Sequence, residues 1–277
     1  MENHFVHSKE GGEPLTNPVL LSPEQARQMI REQRWTKPTA GMAKGYIQAN
    51  LAVLPKEYAF DFLLFCNRNP KACPIIDVVE PGEHAPKQAA PNANVKTEIP
   101  KYRIYKHGKF VEERTDVIDL WNENMVGFLI GCSFTFEQAL MDNGIPIRHL
   151  EEGCNVPMYL TNIQCEKAGI FEGPMVVSMR PMTERDAIRA VQVTSRFPSV
   201  HGSPVHIGNP ETIGIKDIHQ PDFGDAVPIK KGEVPVFWAC GVTPQAIAMY
   251  VKPEIMITHS PGHMFITDLK NEQFSIL

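Results

Sequence analysis

The sequence predicts an α/β protein: a three-layer mixed-sheet domain with a second, smaller two-layer α+β domain. Two observations carry this. Strand-length apolar runs alternate with capped helical segments along much of the chain, the pattern that lays helices on a sheet. One supersecondary unit also occurs twice, more than a hundred residues apart. Val126-Gly127-Phe128-Leu129-Ile130-Gly131-Cys132-Ser133-Phe134-Thr135 and Val234-Pro235-Val236-Phe237-Trp238-Ala239-Cys240-Gly241-Val242-Thr243 each give an apolar run, a Cys, small residues, a Thr three positions on, and then helix formers. Thr is a good N-cap, and Pro244 after Thr243 suits the first helical position. A strand feeding a capped helix leaves N–H groups and the positive dipole end pointing outward, which favours an anion. Two such units can hold two carboxylates of one substrate. The plain alternative is two buried cysteines at ordinary β–α turns. For either cysteine alone that is the better reading, and the pairing brings the two readings level.

Taken in order, residues 1–21 read as a loose tail. Ser22-Pro23-Glu24-Gln25 opens a helix with a Ser cap, Pro at the first position and Gln at the third, and this helix runs to about Arg34. Pro38-Thr39-Ala40-Gly41 is a turn. Residues 43–54 read as helix or irregular structure, ended by Pro55. Residues 56–67, apolar at Tyr58, Phe60, Phe62, Leu63 and Phe65, read as a buried helix, and residues 75–79 as a short strand. Pro81, Gly82, Pro86, Pro91 and Pro100 make 81–100 a loop. Residues 102–115 alternate around His107-Gly108, a hairpin. The first paired unit closes at Asn143-Gly144, and a strand follows over 145–150. A strand at 174–180 leads to Thr183, which caps a helix from Glu184 to about Arg196 in a capping box with the shorter acid Asp186. Residues 198–233 are rich in turns. After the second unit come strands at 255–259 and 263–269 around the tight turn Ser260-Pro261-Gly262. The main α/β domain is then residues 22–150 and 231–277, the smaller domain 151–230, and both paired units lie at one edge of one sheet.

The chain has 277 residues, 43% hydrophobic and 21% charged, globular values for one large domain or two. A net charge of -5 without a Lys/Arg block argues against a nucleic-acid partner. No apolar run approaches the roughly 18 residues of a membrane helix, and residues 1–12 contain no signal-peptide core. A cytoplasmic location is expected, with the six cysteines free. Nothing calls for a cofactor: there is no G-x-G-x-x-G, Walker loop or G-x-S-x-G. Assembly into a homo-oligomer is left open.

Polar residues gather at turns. His201-Gly202-Ser203-Pro204-Val205-His206, Asp222-Phe223-Gly224-Asp225 and Thr258-His259-Ser260-Pro261-Gly262-His263 fix side-chain directions, as a general acid or base requires. His259 and His263 are four apart, but Pro261-Gly262 forbids the helical zinc arrangement, and no spacing demands a metal. Candidates for acid/base work are His206, His259, His263, Asp225 and Glu137. Of the two C-terminal histidines, His263 is expected to line the pocket at Thr243, because so tight a turn leaves no room to bury both rings. Candidates for substrate binding are Cys132, Ser133, Thr135, Cys240, Gly241 and Thr243, assisted by Arg68 or Arg180. Either cysteine at a helix start is also a conceivable nucleophile, although a buried inert thiol is commoner.

The segments Gln48-Ala49-Asn50-Leu51, Asp61-Phe62-Leu63-Leu64-Phe65-Cys66, Asn155-Val156-Pro157-Met158-Tyr159, Ser178-Met179-Arg180-Pro181, Asp222-Phe223-Gly224-Asp225, Thr258-His259-Ser260-Pro261-Gly262-His263-Met264 and both Cys-x-x-Thr units together resemble a bacterial hydro-lyase family related to mitochondrial D-glutamate cyclase. The resemblance covers about residues 22–269. It departs at Lys37, where Gly is expected. It implies a two-domain α/β fold and a lyase on a small carboxylated substrate, with D-glutamate cyclising to 5-oxo-D-proline and losing water. The alternatives are a non-catalytic small-carboxylate-binding protein and a thiol-dependent amidohydrolase.

Overall fold

The computed structural model describes residues 17–276, apart from the side chains of Ala248 and Met249. The chain is a mixed α/β protein with two antiparallel sheets and several helices. Its elements are α1 (Pro23–Arg31), β1 (Tyr46–Pro55), α2 (Lys56–Arg68), β2 (Ile75–Val79), β3 (Tyr102–Lys106), β4 (Lys109–Arg114), β5 (Met125–Gly131), α3 (Phe134–Asp142), α4 (Arg148–Glu151), β6 (Met158–Gln164), β7 (Pro174–Thr183), α5 (Glu184–Thr194), β8 (His206–Ile207), β9 (Glu233–Ala239), α6 (Thr243–Val251), β10 (Met256–His259) and β11 (Phe265–Lys270).

Local chemistry explains several of them. At α1 the Gln25 N–H donates to Ser22 Oγ and the Ser22 N–H to Gln25 Oε1, a complete capping box. The β3–β4 hairpin turns at His107 and Gly108, whose φ angles of 49° and 75° are what a two-residue hairpin loop requires. Of the expected tail, residues 1–16 lie outside the described residues. Residues 17–21 do not trail: Asn17 caps a turn at Pro18–Leu20, and Leu21 packs with α1 and Ile266.

Other expectations change. Residues 46–55 form β1, not helix. The strand is buried on both faces, so no alternation marks it, and its Ala, Leu and Gln residues read as helix formers. α2 is not a buried helix: Phe62, Phe65 and Cys66 face inward, but Phe60 is 73% exposed. The strand expected over 145–150 is the short helix α4, and β6 had no clear signal.

The larger sheet has the order β2-β5-β1-β10-β3-β4, with β11 also on β1, and the smaller has β6-β7-β9-β8. β10 and β11 lie end to end along one edge of β1, with Ala52 opposite Thr258 and Ala49 opposite Phe265. The Ser260-Pro261-Gly262 turn therefore joins two collinear strands. One face of the larger sheet carries Leu51, Val53 and Leu129 under the loop residues Ala89, Ala93, Val95 and Trp121. The other carries Leu54, Phe128 and Ile130 under Phe62 and Phe65 of α2.

β9 belongs to the smaller sheet, antiparallel to β7 from Ala239 opposite Val177 to Glu233 opposite Thr183, and not to the sheet of β5 as expected. Yet the two paired units meet, because the helix that follows each strand reaches across to the other sheet as well as packing on its own. β5 lies in the larger sheet, but Phe136 and Leu140 of α3 pack with Met182, Val236 and Trp238 on the smaller and with Ala187 of α5. β9 lies in the smaller sheet, but Ile247 of α6 packs with Phe128 and Met256 on the larger and with Phe62 and Phe65 of α2. The chain crosses between sheets at Cys132-Ser133 and returns at Cys240-Gly241-Val242. Among the described residues no helix is long and apolar enough to cross a membrane.

Candidate active site at the two sheet crossings

The crossings touch through backbone. The Gly131 N–H donates to the Pro74 carbonyl at 2.8 Å, and the Gly131 carbonyl accepts from Asn50 Nδ2 at 2.7 Å. Gly241 sits against the same pair: a Cβ there would lie 2.1 Å from Asn50 Nδ2 and 3.1 Å from the Gly131 oxygen. Only glycine allows so close an approach. Asn50 is buried, on the central strand, and also reaches the Ile130 carbonyl at 3.3 Å.

Both thiols are enclosed, and burial pushes them up, Cys132 to about 12 and Cys240 to about 11. In each case the backbone two residues on, at Phe134 or Val242, opposes that rise. The Cys240 thiol donates to Met158 Sδ at 3.5 Å. The expected caps are corrected. Ser133 is the N-cap of α3 and makes no side-chain cap bond, while Thr135 lies inside the first turn with a buried hydroxyl that has no partner. Thr243 begins α6, and its hydroxyl accepts from the Val176 N–H at 3.1 Å and donates to the Cys240 carbonyl at 2.7 Å, tying the helix to β7.

Glu137 and Arg180, expected as acid/base and anion holder, are engaged with each other. Arg180 is fully buried, and its Nε (at 2.9 Å) and Nη2 both donate to Glu137 Oε1. Nη1 donates to Ser178 Oγ at 2.9 Å and Nη2 to Ser133 Oγ at 3.0 Å. Its guanidinium carbon lies 5.1 Å from the Phe136 ring centre and 5.4 Å from that of Trp238. Burial raises the Glu137 pKa, but Arg180 and then His149 outweigh it and hold the carboxyl at about 2. The pair is therefore ionic at neutral pH and grips the first crossing through Ser133. His149 Nε2 lies 3.4 Å from Glu137 Oε1, and neither ring nitrogen of this buried residue has a hydrogen-bond partner.

The histidine turns divide. His259 is 2% exposed and His263 9%, so both rings fit inside after all. The Leu51 N–H donates to His259 Nδ1 at 3.1 Å, closer than the Leu51 carbonyl at 3.4 Å, which leaves the proton on Nε2. Burial brings the His259 pKa down to about 4. Its carbonyl accepts from Gln245 Nε2 at 3.2 Å, so the residue joins α6 to the strand position next to Asn50. The His263 Nδ1–H donates to the Pro261 carbonyl at 2.8 Å, and the charges of Lys101 and Glu113 act on the ring. His206 is on the outer strand β8, its Nε2 beside the Asn209 carbonyl and the Thr212 hydroxyl. Asp225 is exposed and accepts the Asn155 N–H at 2.9 Å, which clips a loop. Arg68 is exposed at the end of α2 and donates to the Lys167 carbonyl.

The structure thus brings together Cys132, Ser133, Cys240 and Gly241 around Asn50, with His259 bonded to the adjacent Leu51 and to Gln245; no motif had marked Asn50 or Gln245 as functional. His206, Asp225 and Arg68 stand apart, engaged in local bonds. A buried polar residue in the middle of a strand is the signal that could have found Asn50, but the misreading of β1 as helix hid it.

A family model described as D-glutamate cyclase matches residues 126–268, a span that includes both crossings. A protein of Geobacillus kaustophilus is 68% identical over 263 residues, covering 95% of this chain and 100% of its own. One of Bacillus subtilis is 62% identical, covering 93% of this chain and 100% of its own. One of Stutzerimonas stutzeri is 58% identical, covering 93% and 97%. All three are named "putative hydro-lyase". Among solved structures, a nitrogen repressor-like protein of Methanococcus jannaschii aligns over 86% of this chain and 96% of its own, at 10% identity and a TM-score of 0.37, too slight a likeness to carry an argument.

Proposed function

The chain belongs to the D-glutamate cyclase family, and from that premise we propose that it is a hydro-lyase that cyclises D-glutamate, or a close analogue, to a five-membered lactam with loss of water. The amine nitrogen bonds to the side-chain carboxyl carbon, one C–O bond breaks, and the oxygen leaves as water, taking two protons from the substrate's ammonium group, which becomes the lactam N–H. This needs a neutral donor for the departing oxygen, and a place that keeps water out. The observation that best supports the reading is the buried imidazole of His259, bonded to Leu51, the strand residue next to Asn50. The imidazole is held neutral by burial, and its shorter contact, with the Leu51 N–H, assigns the proton to Nε2. A neutral imidazole of this kind donates a hydrogen bond without titrating near pH 7. The chain incubated with a panel of D- and L-glutamate, their homologues and hydroxy acids, read by mass spectrometry, tests this: D-glutamate should lose one water. An untouched panel sinks the reading.

His259→Asn keeps a donor but moves it, and should lower turnover about tenfold, the worth of one neutral hydrogen bond. The parent rate should stay level across the neutral pH range, because the ring does not titrate there. Equal rates in variant and parent would remove His259 from the reaction.

Cys132→Ser and Cys240→Ser should each stay within about tenfold of the parent rate, or about 1.4 kcal/mol of barrier. With thiol pKa values near 12 and 11 neither sulfur is ionised at neutral pH, the opposite of what an activated nucleophile needs. A loss of many thousandfold in a folded variant would favour thiol catalysis instead.

A further inference from the structure

Lys71 lies in the short loop between α2 and β2. That loop is rigid: the Ala72 and Cys73 N–H groups donate to the Asn69 carbonyl at 3.1 and 2.9 Å, and the Asn69 side chain bonds the Phe65 and Glu166 carbonyls, each at 2.8 Å. Three residues beyond Lys71, the Pro74 carbonyl holds the Gly131 N–H of the first crossing. The Lys71 side chain is half-buried, and its hydrogen bond is to Ser203 Oγ at 3.2 Å. Burial lowers its pKa, and among the described residues no acid offsets that. A partly buried ammonium without a counter-ion is unfavourable until an anion joins it.

The second wall of this corner is His201. It is fully buried, and its φ of 84° is a left-handed conformation that costs a non-glycine residue energy. Its Nδ1 lies 2.8 Å from the Lys71 carbonyl, while Nε2 has no partner. Burial takes its pKa down to about 4 despite the Lys71 carbonyl, so the ring adds no competing positive charge. The segment leading to it presses on the first crossing: a Cβ on Gly131 would lie 3.0 Å from the Ser199 carbonyl oxygen and 3.0 Å from Val200 Cγ1. Lys71 is therefore anchored to the Gly131 turn from two sides, by its own loop through Pro74 and by the Ser199-to-Ser203 segment through His201.

We infer that Lys71, with Ser203 Oγ beside it, binds one carboxylate of the substrate at the first crossing, with the Lys71 carbonyl and His201 holding the corner rigid. This rests on the reading of the crossings as the place of reaction. In that reaction one carboxyl group is attacked and the other stays charged throughout, and a fixed ammonium suits the one that stays. Arg180 is not available for it, because its donors are already engaged by Glu137, Ser133 and Ser178.

The test uses the full chain and glutarate, which lacks the amine and cannot cyclise. Lysine amines carrying isotope-labelled methyl groups are followed by NMR, and the Lys71 signal is identified by its loss in Lys71→Met. That signal should titrate below the other lysines and move to higher pKa with saturating glutarate. By calorimetry, Lys71→Met should bind glutarate about ten- to a hundredfold more weakly, and Lys71→Arg should retain most of the affinity. Thermal unfolding of both variants, unchanged from the parent, separates this from loss of fold. Equal binding by Lys71→Met, a Lys71 signal that ignores bound glutarate, or a folded parent that binds no glutarate overturns the inference. Glutarate bound through Lys71 while D-glutamate stays unreacted would sink only the cyclisation reading.

Discussion

Glu137→Gln is expected to lower the unfolding free energy by about 3–5 kcal/mol, the usual cost of removing one member of a buried ion pair. The cost comes from what remains. Arg180 is fully buried, and its charge is balanced by Glu137. The neighbouring hydroxyls of Ser133 and Ser178 and the ring faces of Phe136 and Trp238 are neutral, so they cannot replace a carboxylate. The pH dependence follows from the same pair. The folded carboxyl is held at about 2, below its ordinary value of 4.5. Its contribution is complete above the ordinary value and disappears as the pH falls toward the folded one. Urea unfolding of parent and variant should therefore differ most at neutral pH and converge in acid. Glu137→Leu combined with Arg180→Met should lose much less than the two single losses added, because no charge is then stranded. A single variant as stable as the parent at neutral pH would mean that the pair does not hold the crossing together.

What the sequence made legible was local. The capping box at Ser22, the hairpin at His107-Gly108 and the Thr183 cap each depend on a few adjacent residues, and each is found. The repeated strand–Cys–helix unit was also legible, because both copies are contiguous. What stayed hidden was partnership. Nothing in 234–243 says that its strand pairs with β7 instead of joining the sheet of β5, since the same apolar run suits either. Burial on both faces also removed the alternation that would have marked β1, and with β1 went Asn50, the residue that joins the crossings. The charged candidates failed differently. Arg180 and Glu137 were read as free to act, but a buried charge must be paired, and each is the other's partner.

Gly241→Ala is the substitution expected to damage the site most directly. Gly241 does not need glycine for its backbone, because its φ is not positive. It needs glycine for space. The added methyl would stand 2.1 Å from Asn50 Nδ2 and 2.7 Å from Asn50 Cγ. Asn50 cannot swing clear, because it is buried on the central strand and its amide donates to the Ile130 and Gly131 carbonyls. Either the amide leaves Gly131 or the second crossing backs away from the first. Overpacking of this kind costs about 1–3 kcal/mol. A displacement of about 1 Å between groups that must align can cost a hundredfold in rate. The variant should therefore fold, unfold at lower urea, and turn over substrate about a hundredfold more slowly or worse. Asn50→Ala placed on top should recover stability, because it removes the obstacle, but should not recover rate, because the Gly131 carbonyl stays unheld. If Gly241→Ala matches the parent in both urea midpoint and rate, the two crossings do not act as one site.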